Sequence, residues 1–456
     1  MPGADSPWRA RIVSLTLAGI TTTAGGSVGR LRRILGVGFG LAVTIGGTIG
    51  IGILATPGAV AAQLHTATLI VVFWLLGGVY NLIGASCLTE LGAMMPRAGG
   101  YYVYARRAFG DWVGFAVGWT DAITYCAVLG YVSIAIGDFL GRLVPSLAGH
   151  TRPVAIAVIV GLVALQWTGI RISSWFQEWA TALKFLAFLA LCVAAIALSG
   201  RSDAAAAAPA APLSLSGVTG AVASIVIAYA GWQSALYFTE EDRDPARNLP
   251  RAMIGGVVAV IVIYLLVNIA LLAILPMSEL AASDLPAADA ARRIAGARGE
   301  QIVTALALIS LVPLVNAILM IGTRILFALG RDGLLWSRTA SVNPRGTPGI
   351  ATVITTIVAV GLIATGTFES LVGMVAFYLT FNYAICCLAL VALRRREPDA
   401  PRPFRAWGYP WTAGIVVVGA LAFLLSSLIG KTWHALAALG LLVPGLVVHA
   451  VLRRRR

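Results

Sequence analysis

The sequence predicts an all-α protein that crosses a membrane twelve times. Of the 456 residues, 59% are hydrophobic and only 11% are charged, and the mean hydropathy is +0.88, which is typical of a polytopic membrane protein. The apolar residues form continuous runs of about 20 residues or more, the length that a helix needs to cross a bilayer, without the two-residue alternation of a β-barrel. The predicted spans are 34–62, 67–94, 112–141, 153–171, 176–199, 217–239, 252–276, 301–329, 348–366, 369–393, 411–430 and 432–452.

The first span is predicted to be interrupted near its centre. Positions 46–53 read GGTIGIGI, with four glycines in seven positions. Each glycine costs a helix about 1 kcal/mol relative to alanine. An unwound backbone at this depth is stable only where it faces protein or a cavity, and its free N–H and C=O groups can then bind a ligand. Close helix packing through small residues spaced four apart is the alternative interpretation of the same glycines.

The sixth span contains a second interruption, at IAYAGWQ in positions 227–233. An alanine-rich linker at 200–216 separates the first five spans from the next five, so the first span of each set is broken at a corresponding place. Corresponding breaks in two halves indicate an inverted-repeat transporter with a binding site near the membrane midplane. Because each set contains an odd number of spans, the second set is inverted relative to the first.

The basic residues orient the chain. The net charge is +14, but 25 of the 33 lysines and arginines lie on one side if the N-terminus is cytoplasmic, seven lie on the other, and Lys184 lies within a span. This is the positive-inside pattern and not the pattern of a nucleic-acid-binding protein. The short apolar stretch at 12–20 is assigned to a cytoplasmic tail, with a cleaved signal peptide as the alternative. The predicted division is a cytoplasmic tail at 1–33, a first five-helix repeat at 34–199, an external linker at 200–216, a second repeat at 217–394, a cytoplasmic loop at 395–410, two additional helices at 411–452 and a basic cytoplasmic tail at 453–456.

Three ionisable residues lie in the predicted spans at places that suggest a role. Lys184 in the fifth span is expected to face the bundle interior and to take up and release a proton, because burial disfavours its charged form. Snorkelling of its long side chain to the cytoplasmic edge is the alternative. Asp121 in the third span is a candidate specificity residue, as a partner for a positive substrate or for Lys184. Glu90 is either a gate carboxylate or a helix-end carboxylate solvated by lipid headgroups.

The sequence indicates no enzyme chemistry. The four histidines lie toward span ends without the spacing of metal ligands, and Asp121 and Asp138 are too far apart along one helix to form a catalytic pair. The five cysteines fall within spans, so no disulfide framework is expected. We therefore expect no cofactor and no metal. The external segment at 276–300 is longer than a simple connection and is either a lid or a passive loop.

Short motifs occur in this order along the chain: GIGI at 50–53, PRAGG at 96–100, AYAGW at 228–232, TEE at 239–241, DP at 244–245, RNLP at 247–250, RDG at 331–333, RPF at 402–404 and GYP at 408–410. With this set of motifs the sequence resembles the amino acid–polyamine–organocation (APC) superfamily of permeases, and it is most similar to bacterial relatives of the L-type amino acid transporters. The resemblance extends from position 34 to about position 410.

The resemblance implies two inverted five-helix repeats with two helices added, and an amino acid as substrate. Its α-carboxylate would meet free amides of the first span and its α-ammonium would meet carbonyls of the first and sixth spans, in agreement with the charges of interrupted helix ends. Lys184 matches the lysine that, in proton-coupled relatives, stands where sodium-coupled relatives bind an ion. The implied substrate-binding residues are Ile49, Gly50, Ile51, Gly52 and Ile53 of the first span, and Ile227, Ala228 and Tyr229 of the sixth through their backbones, with Trp232 beside them as a gate or wall.

Two departures from the family pattern bear on the substrate. Ile51 replaces a small hydroxyl residue between two glycines, and Ile227 replaces an aromatic residue. The sequence predicts a secondary active transporter of amino acids, neutral ones first, which works by alternating access in the bacterial cytoplasmic membrane through proton symport or exchange. Its predicted partners are the amino acid, protons and membrane lipid, without nucleic acid. A transporter of cationic amino acids or polyamines, supported by Asp121, is the first alternative. A transporter-like nutrient receptor or a channel is more remote.

Overall fold

A computed structural model of the protein describes residues 31–198, 213–365 and 368–430 and isolated positions between 440 and 450. These residues form a bundle of α-helices with short connections, some of which contain a 3₁₀ turn. The α-helices in chain order are α1 (Val37–Thr48), α2 (Ile51–Leu64), α3 (Ala67–Met94), α4 (Tyr101–Phe109), α5 (Asp111–Leu143), α6 (Thr151–Trp167), α7 (Ile170–Leu198), α8 (Leu215–Ala228), α9 (Pro245–Ile274), α10 (Met277–Ala282), α11 (Pro286–Arg331), α12 (Gly349–Thr365), α13 (Phe368–Arg396) and α14 (Trp411–Gly430).

The described helices match the first eleven predicted spans. Among the described residues, seven helices are long and apolar enough to cross a membrane, and α1 with α2 forms an eighth span if the bent pair counts as one. Three shorter apolar helices, α6, α12 and most of α14, lie at the fourth, ninth and eleventh predicted spans. The prediction of a helical, multi-pass membrane protein is therefore confirmed. Four predicted parts lie wholly or mostly outside the described residues: the N-terminal tail, the external linker, the twelfth span and the basic C-terminal tail.

The connection between the fourth and fifth spans differs from the prediction. The sequence predicts a fourth span that reaches position 171, whereas α6 ends at Trp167 and Gly169 adopts a φ of 121°. The next helix, α7, begins at Ile170, before the predicted start at 176. The polar residues of this turn continue the helix, because their hydroxyl groups bond within it: Ser173 Oγ donates to the carbonyl of Gly169 at 2.8 Å. Hydropathy alone assigns such residues to a loop.

The first span is broken where the glycine pattern predicts. Helix α1 ends at Thr48, Ile49 is extended (φ −71°, ψ 104°), and α2 begins at Ile51 with its axis bent by 43° from α1. The same glycines also allow close packing. A methyl group on Gly46 would lie 2.6 Å from Thr181 Oγ1, so α1 and α7 approach through this position. The interruption and the packing interpretation are therefore both correct, at neighbouring residues.

The sixth span is broken at the predicted place as well. Helix α8 ends at Ala228, and the chain resumes as a 3₁₀ helix at Trp232–Phe238. Between them Gly231 has a φ of 120°, a conformation that side chains disfavour. A methyl group on Gly231 would also lie 2.1 Å from the carbonyl oxygen of Gly47. The two breaks therefore touch each other, and only glycine fits at this contact.

The external segment is helical where it lies beside the first span. Helix α10 packs against α2, and a methyl group on Gly58 would lie 2.2 Å from the carbonyl oxygen of Ser283 and 3.0 Å from that of Leu280. Leu280 is buried, and α11 begins soon after with a kink at Gly296, where φ is 62°. The segment therefore packs on α2 through close backbone contacts at Gly58.

Candidate functional site

The predicted site residues of the first and sixth spans meet at the two breaks. A methyl group on Gly52 would lie 3.2 Å from Ala228 Cα, so the start of α2 approaches the end of α8. The side chains of Ile49, Ile53 and Trp232 are buried in the same region. Both helix ends face each other with backbone groups that no longer pair along their own helix, which is the arrangement a polar ligand requires.

Two of the predicted substrate-binding residues, Ile227 and Tyr229, do not direct their side chains to the contact between the breaks. The side chain of Ile227 is 39% exposed, so it points away from the contact between the breaks and only its backbone is at the site. Tyr229 is buried, but its hydroxyl donates to the carbonyl of Trp74 in α3 at 3.1 Å. Both observations agree with the expectation that these residues act through their backbones.

Lys184 reaches the break of the first span. Its ammonium donates to the carbonyls of Gly46 (3.0 Å), Ile49 and Ser310 (3.1 Å), and the residue is buried. The three N–H groups of a lysine thus have three carbonyl acceptors, two from the broken span and one from α11. The side chain does not snorkel to the cytoplasmic edge. It joins α7, the first span and α11 at the point where α1 has lost its own hydrogen bonds.

Next to Lys184, a network of buried side-chain hydrogen bonds joins α7 to the first span and to α11, and α11 to α6. Thr181 Oγ1 donates to the carbonyl of Ala42 at 3.1 Å, and Asn316 Nδ2 donates to Gln177 Oε1 at 2.9 Å. Gln166 Nε2 in turn donates to the carbonyl of Asn316 at 3.0 Å. Helix α7 is therefore attached to both the first span and α11 by polar contacts, which orient Lys184.

Asp121 does not pair with Lys184. Its Oδ2 accepts a hydrogen bond from the hydroxyl of Tyr237 at 2.8 Å, and the described residues provide no salt bridge and no hydrogen-bond partner for Oδ1. The surrounding groups are polar but uncharged: Gln233 Nε2 donates to the hydroxyl of Tyr125 at 3.3 Å, and the Tyr383 hydroxyl donates to Gln233 Oε1 at 3.0 Å. Asp121 therefore lies in a buried polar cluster with Tyr237, a residue of the 3₁₀ helix that follows the sixth-span break.

Sequence reasoning missed Tyr264. This residue of α9 is buried, and its hydroxyl lies 2.9 Å from the carbonyl oxygens of both Thr48 and Ala228, the last residues of α1 and α8. It is the side chain that contacts the ends of both broken helices. A tyrosine in the otherwise apolar sequence IVIYLLVN was the available signal, but nothing in the sequence gives its partners.

A buried ion pair joins α11 to the segment that follows the sixth span. Arg324 of α11 contacts both oxygens of Glu241 at 2.9 and 3.1 Å, and both side chains are almost fully buried. The carbonyl of Glu241 accepts from the amides of Ile34 and Leu35 at 3.0 Å. The segment that follows the sixth span, the start of the first span and α11 are therefore held together here.

A second set of charges lies at the ends of α4 and α11. Asp332 forms salt bridges with Arg97 (3.1 Å), Arg106 (3.0 Å) and Arg331 (3.2 Å). Burial disfavours the charged form of Asp332, but Arg331 and a hydrogen bond from Tyr102 outweigh it, so the pKa of this carboxyl lies below its usual value. The carboxylate stays charged at neutral pH and the network persists.

Glu90 is not a solvated helix end. It is fully buried and forms salt bridges with Arg394 (2.5 Å) and Arg402 (3.1 Å), and it accepts from the amide of Ala406 at 2.7 Å. It therefore attaches α3 to α13 and to the loop that follows α13. The solvated helix end is therefore the wrong interpretation of Glu90, whose carboxylate is paired with arginines.

A helical bundle in which two interrupted helices meet at their breaks is typical of membrane transporters. The chain belongs to the family described as "Amino acid permease", whose model matches residues 40–443, and the predicted membership of the APC superfamily is confirmed. It is 26% identical over 431 residues to the serine/threonine exchanger SteT of Bacillus subtilis, covering 93% of this chain and 98% of the relative. It is 26% identical over 432 residues to the b(0,+)-type amino acid transporter 1 of Mus musculus, covering 92% and 88%. It is 27% identical over 395 residues to the large neutral amino acids transporter small subunit 2 of Rattus norvegicus, covering 84% and 74%. These relatives are transporters, and the protein is a permease and not an enzyme.

Proposed function

We propose that the protein moves free α-amino acids, neutral ones preferentially, across the bacterial cytoplasmic membrane by alternating access. The observation that carries this proposal is the contact between the two helix breaks, where the ends of α1 and α8 and the start of α2 come together. The proposed architecture is twelve spans, with two inverted five-helix repeats at 34–199 and 217–394, two further helices, and both termini in the cytoplasm. The contact between the two breaks and the hydrogen bonds of Lys184 to the first of them support this proposal.

The proposed binding mode follows from the polarity of the helix ends. The amides of Ile51, Gly52 and Ile53 begin α2, where the helix dipole attracts a carboxylate. The carbonyls at the ends of α1 and α8 attract the α-ammonium. The substrate's own charges would therefore replace the hydrogen bonds that both helices lack. The described side chains around the breaks are largely apolar, which supports a neutral substrate side chain.

A cationic amino acid or a polyamine is the second candidate substrate. The observation that favours it is Asp121, a buried carboxylate below the sixth-span break with one oxygen that has no partner among the described residues. A positive side chain that reached this cluster would supply the missing donor. The neutral substrate remains preferred because Tyr237 already donates to the other oxygen.

Lys184 is the proposed coupling residue. A protonated amine supplies three donors to three carbonyls, whereas a neutral amine supplies two, so the loss of a proton removes a bond from the junction with the first span. This links proton binding to the backbone that is proposed to hold the substrate. Proton symport uses this link directly. In an exchanger, the same lysine would remain a fixed cation.

Competition assays in proteoliposomes test the proposed function. The purified protein is reconstituted, and uptake of a labelled neutral amino acid is competed with the parent amino acid, its methyl ester and its amide. We expect the parent to compete and the ester and amide to fail, because neither presents a carboxylate to α2. Equal competition by all three would contradict the carboxylate contact, and equal competition by arginine would favour the cationic alternative.

A further inference from the structure

Asp121 is a buried carboxyl group that the proposed coupling through Lys184 does not use. The residue lies about 15 Å along α5 from the start of that helix, and its side chain is fully buried. Its Oδ2 accepts from the hydroxyl of Tyr237 at 2.8 Å, and its Oδ1 has no hydrogen-bond partner in the described chain. We propose that Asp121 is a second proton-binding site of the permease. It holds a proton while the 3₁₀ helix at Trp232–Phe238 packs against α5, and it releases the proton when the two separate.

The titratable groups that face Asp121 in the described chain are uncharged at neutral pH, because they are tyrosines and a cysteine. They are Tyr101 of α4, Tyr125 of α5, Tyr237 of the 3₁₀ helix, and Tyr383 and Cys386 of α13. An ionised carboxyl group buried without a cation is far more costly than the neutral acid, which requires only hydrogen bonds. These surroundings therefore favour the protonated form.

The other helices packed against α5 place no cation beside Asp121 within the described residues. Helix α12 contains no titratable residue. Arg152 of α6 is exposed and lies at the Asp138 end of α5, about 25 Å from Asp121 along that helix. The less exposed arginines of α4, α11 and α13 are each bonded to another carboxylate: Arg106 to Asp332, Arg324 to Glu241, Arg331 to Glu240 and Arg394 to Glu90.

The cluster around Asp121 is joined to the sixth-span break. The ring of Tyr237 lies 5.2 Å from that of Tyr125, whose hydroxyl accepts from Gln233 Nε2 at 3.3 Å. Gln233 Oε1 accepts from the amide of Gly231 at 3.0 Å. The 3₁₀ helix therefore carries both the donor to Asp121 and a side chain that binds the break. A movement of this helix relative to α5 changes the surroundings of Asp121 and of the break together.

Separation of the 3₁₀ helix from α5 lets water reach the carboxyl group. The O–H bond of the acid then breaks, the proton passes to water, and a hydrated carboxylate remains. Under the proposed orientation this release is cytoplasmic, because the segment that follows the 3₁₀ helix lies on the arginine-rich side. Reloading from outside passes through the break, where the ring of Tyr383 stacks on that of Trp232 at 5.4 Å. The inference rests on the proposed function and adds one proton to the one assigned to Lys184.

Infrared spectroscopy of the purified full-length protein tests whether Asp121 holds a proton. A protonated carboxyl group has a C=O stretching band that a carboxylate lacks, and this band shifts in D₂O. We expect wild type to show the band at neutral pH and Asp121→Asn to lose it. Asp138→Asn is the matched control on the same helix. The Asp138 side chain is exposed, and an exposed carboxyl group is charged at neutral pH, so the band should be unchanged in this variant.

Tyr237→Phe is a second variant, which keeps Asp121 and tests the site if the asparagine variant does not fold. It removes the donor to Oδ2 and keeps the ring that packs against Tyr125. We expect the carboxyl band to persist and to move to higher frequency. The reason is that Oδ2, the carbonyl oxygen of the proposed acid, loses its hydrogen bond.

Accumulation in proteoliposomes tests whether the proton moves with the substrate. Under a pH gradient of about one unit, acidic outside and with the membrane potential held at zero, each coupled proton raises the limiting accumulation ratio about tenfold. We expect the ratio for a labelled neutral amino acid to be about tenfold lower in Asp121→Asn than in wild type and unchanged in Asp138→Asn. The ratio is an equilibrium limit, so a variant that is only slower still reaches the wild-type value.

The inference is overturned by a carboxyl band that Asp121→Asn retains or that Tyr237→Phe leaves unmoved. It is also overturned by a wild-type accumulation ratio in Asp121→Asn, or by an equal loss in Asp138→Asn. In each of these cases wild type still transports amino acids, and the proposed function stands. Failure of wild type to take up any amino acid would overturn the proposed function, and the infrared comparison would still decide whether Asp121 holds a proton.

Discussion

Lys184 supplies hydrogen-bond donors at the place where glycines have interrupted the first span. A helix that ends inside a membrane protein leaves carbonyl groups that water cannot reach. Lys184 reaches two of them, at Gly46 and Ile49, and Tyr264 reaches a third at Thr48. The residues that satisfy the break come from α7 and α9, so the stability of the unwound segment depends on other helices. Changes at these residues should therefore act on substrate handling through the backbone.

At the residue scale, we predict that Lys184→Ala abolishes accumulation driven by a pH gradient. The variant loses charge-assisted hydrogen bonds worth about 1.5–3 kcal/mol each, and with them the proposed site of proton binding, so uptake should fall about tenfold or more. The measurement is uptake into proteoliposomes under an imposed pH gradient, with and without sodium. Glu178→Gln, an ionisable position on the same helix, is the control and should keep its uptake. Sodium-dependent uptake by wild type, or full gradient-driven uptake by Lys184→Ala, would contradict the prediction.

At the scale of elements, a buried ion pair joins α11 to the segments next to the first and sixth spans. Arg324 and Glu241 are buried together, and the backbone of Glu241 is bonded to the chain before α1. Removing one member of a buried ion pair leaves the other charge without a partner in a medium of low polarity. Removal of one charge should therefore lower the stability of the protein more than removal of both charges.

We predict that Glu241→Gln lowers the stability of the detergent-solubilised protein by about 3–5 kcal/mol, because Arg324 then remains buried without its carboxylate. The double variant Glu241→Gln/Arg324→Met should recover much of this loss. Thermal unfolding monitored by intrinsic fluorescence provides the comparison. Glu279→Gln, which removes an external pair with Arg293 whose side chains are both about half exposed, serves as the control and should change little. Additive losses in the double variant would show that the two residues are not coupled.

At the scale of the whole molecule, the distribution of basic residues predicts one orientation of the chain in the membrane. Arg247 lies in the first turn of α9, on the side that is rich in arginine. Arg293 lies near the start of α11, next to α10. The side chains of these residues are 78% and 45% exposed. The five cysteines are buried and unpaired, so a new surface thiol can be detected without removing them.

We predict that a membrane-impermeant maleimide labels Arg293→Cys in intact cells and does not label Arg247→Cys until the membrane is permeabilised. The reason is that the positive-inside rule places Arg247 in the cytoplasm and Arg293 outside. Wild type provides the background from the buried cysteines. Labelling of Arg247→Cys in intact cells, with protection of Arg293→Cys, would reverse the proposed orientation and the assignment of α10 to the external side.

The sequence by itself determined the class of fold and the positions of both breaks. Hydropathy identifies the spans because a helix that crosses lipid needs about 20 apolar residues. The glycines at 46–52 mark the first break because glycine weakens a helix, and Gly231 marks the second because its φ of 120° is one that other residues rarely adopt. It also identified Lys184 as an interior residue, since an amine at that depth is rare without a role. These conclusions depend on the local chain and on the solvent around it.

Only the tertiary structure decided which groups satisfy those breaks. The contacts of Lys184 with Ser310, of Tyr264 with Thr48, of Asp121 with Tyr237 and of Glu90 with Arg394 join residues more than a hundred positions apart. A buried polar group takes whichever partner the packing of helices brings within about 3 Å, and a sequence pattern with a period of a few residues carries no information on that choice. The local chain therefore specifies where the first and sixth helices stop, and the packing of α7, α9 and α11 specifies what holds their open ends.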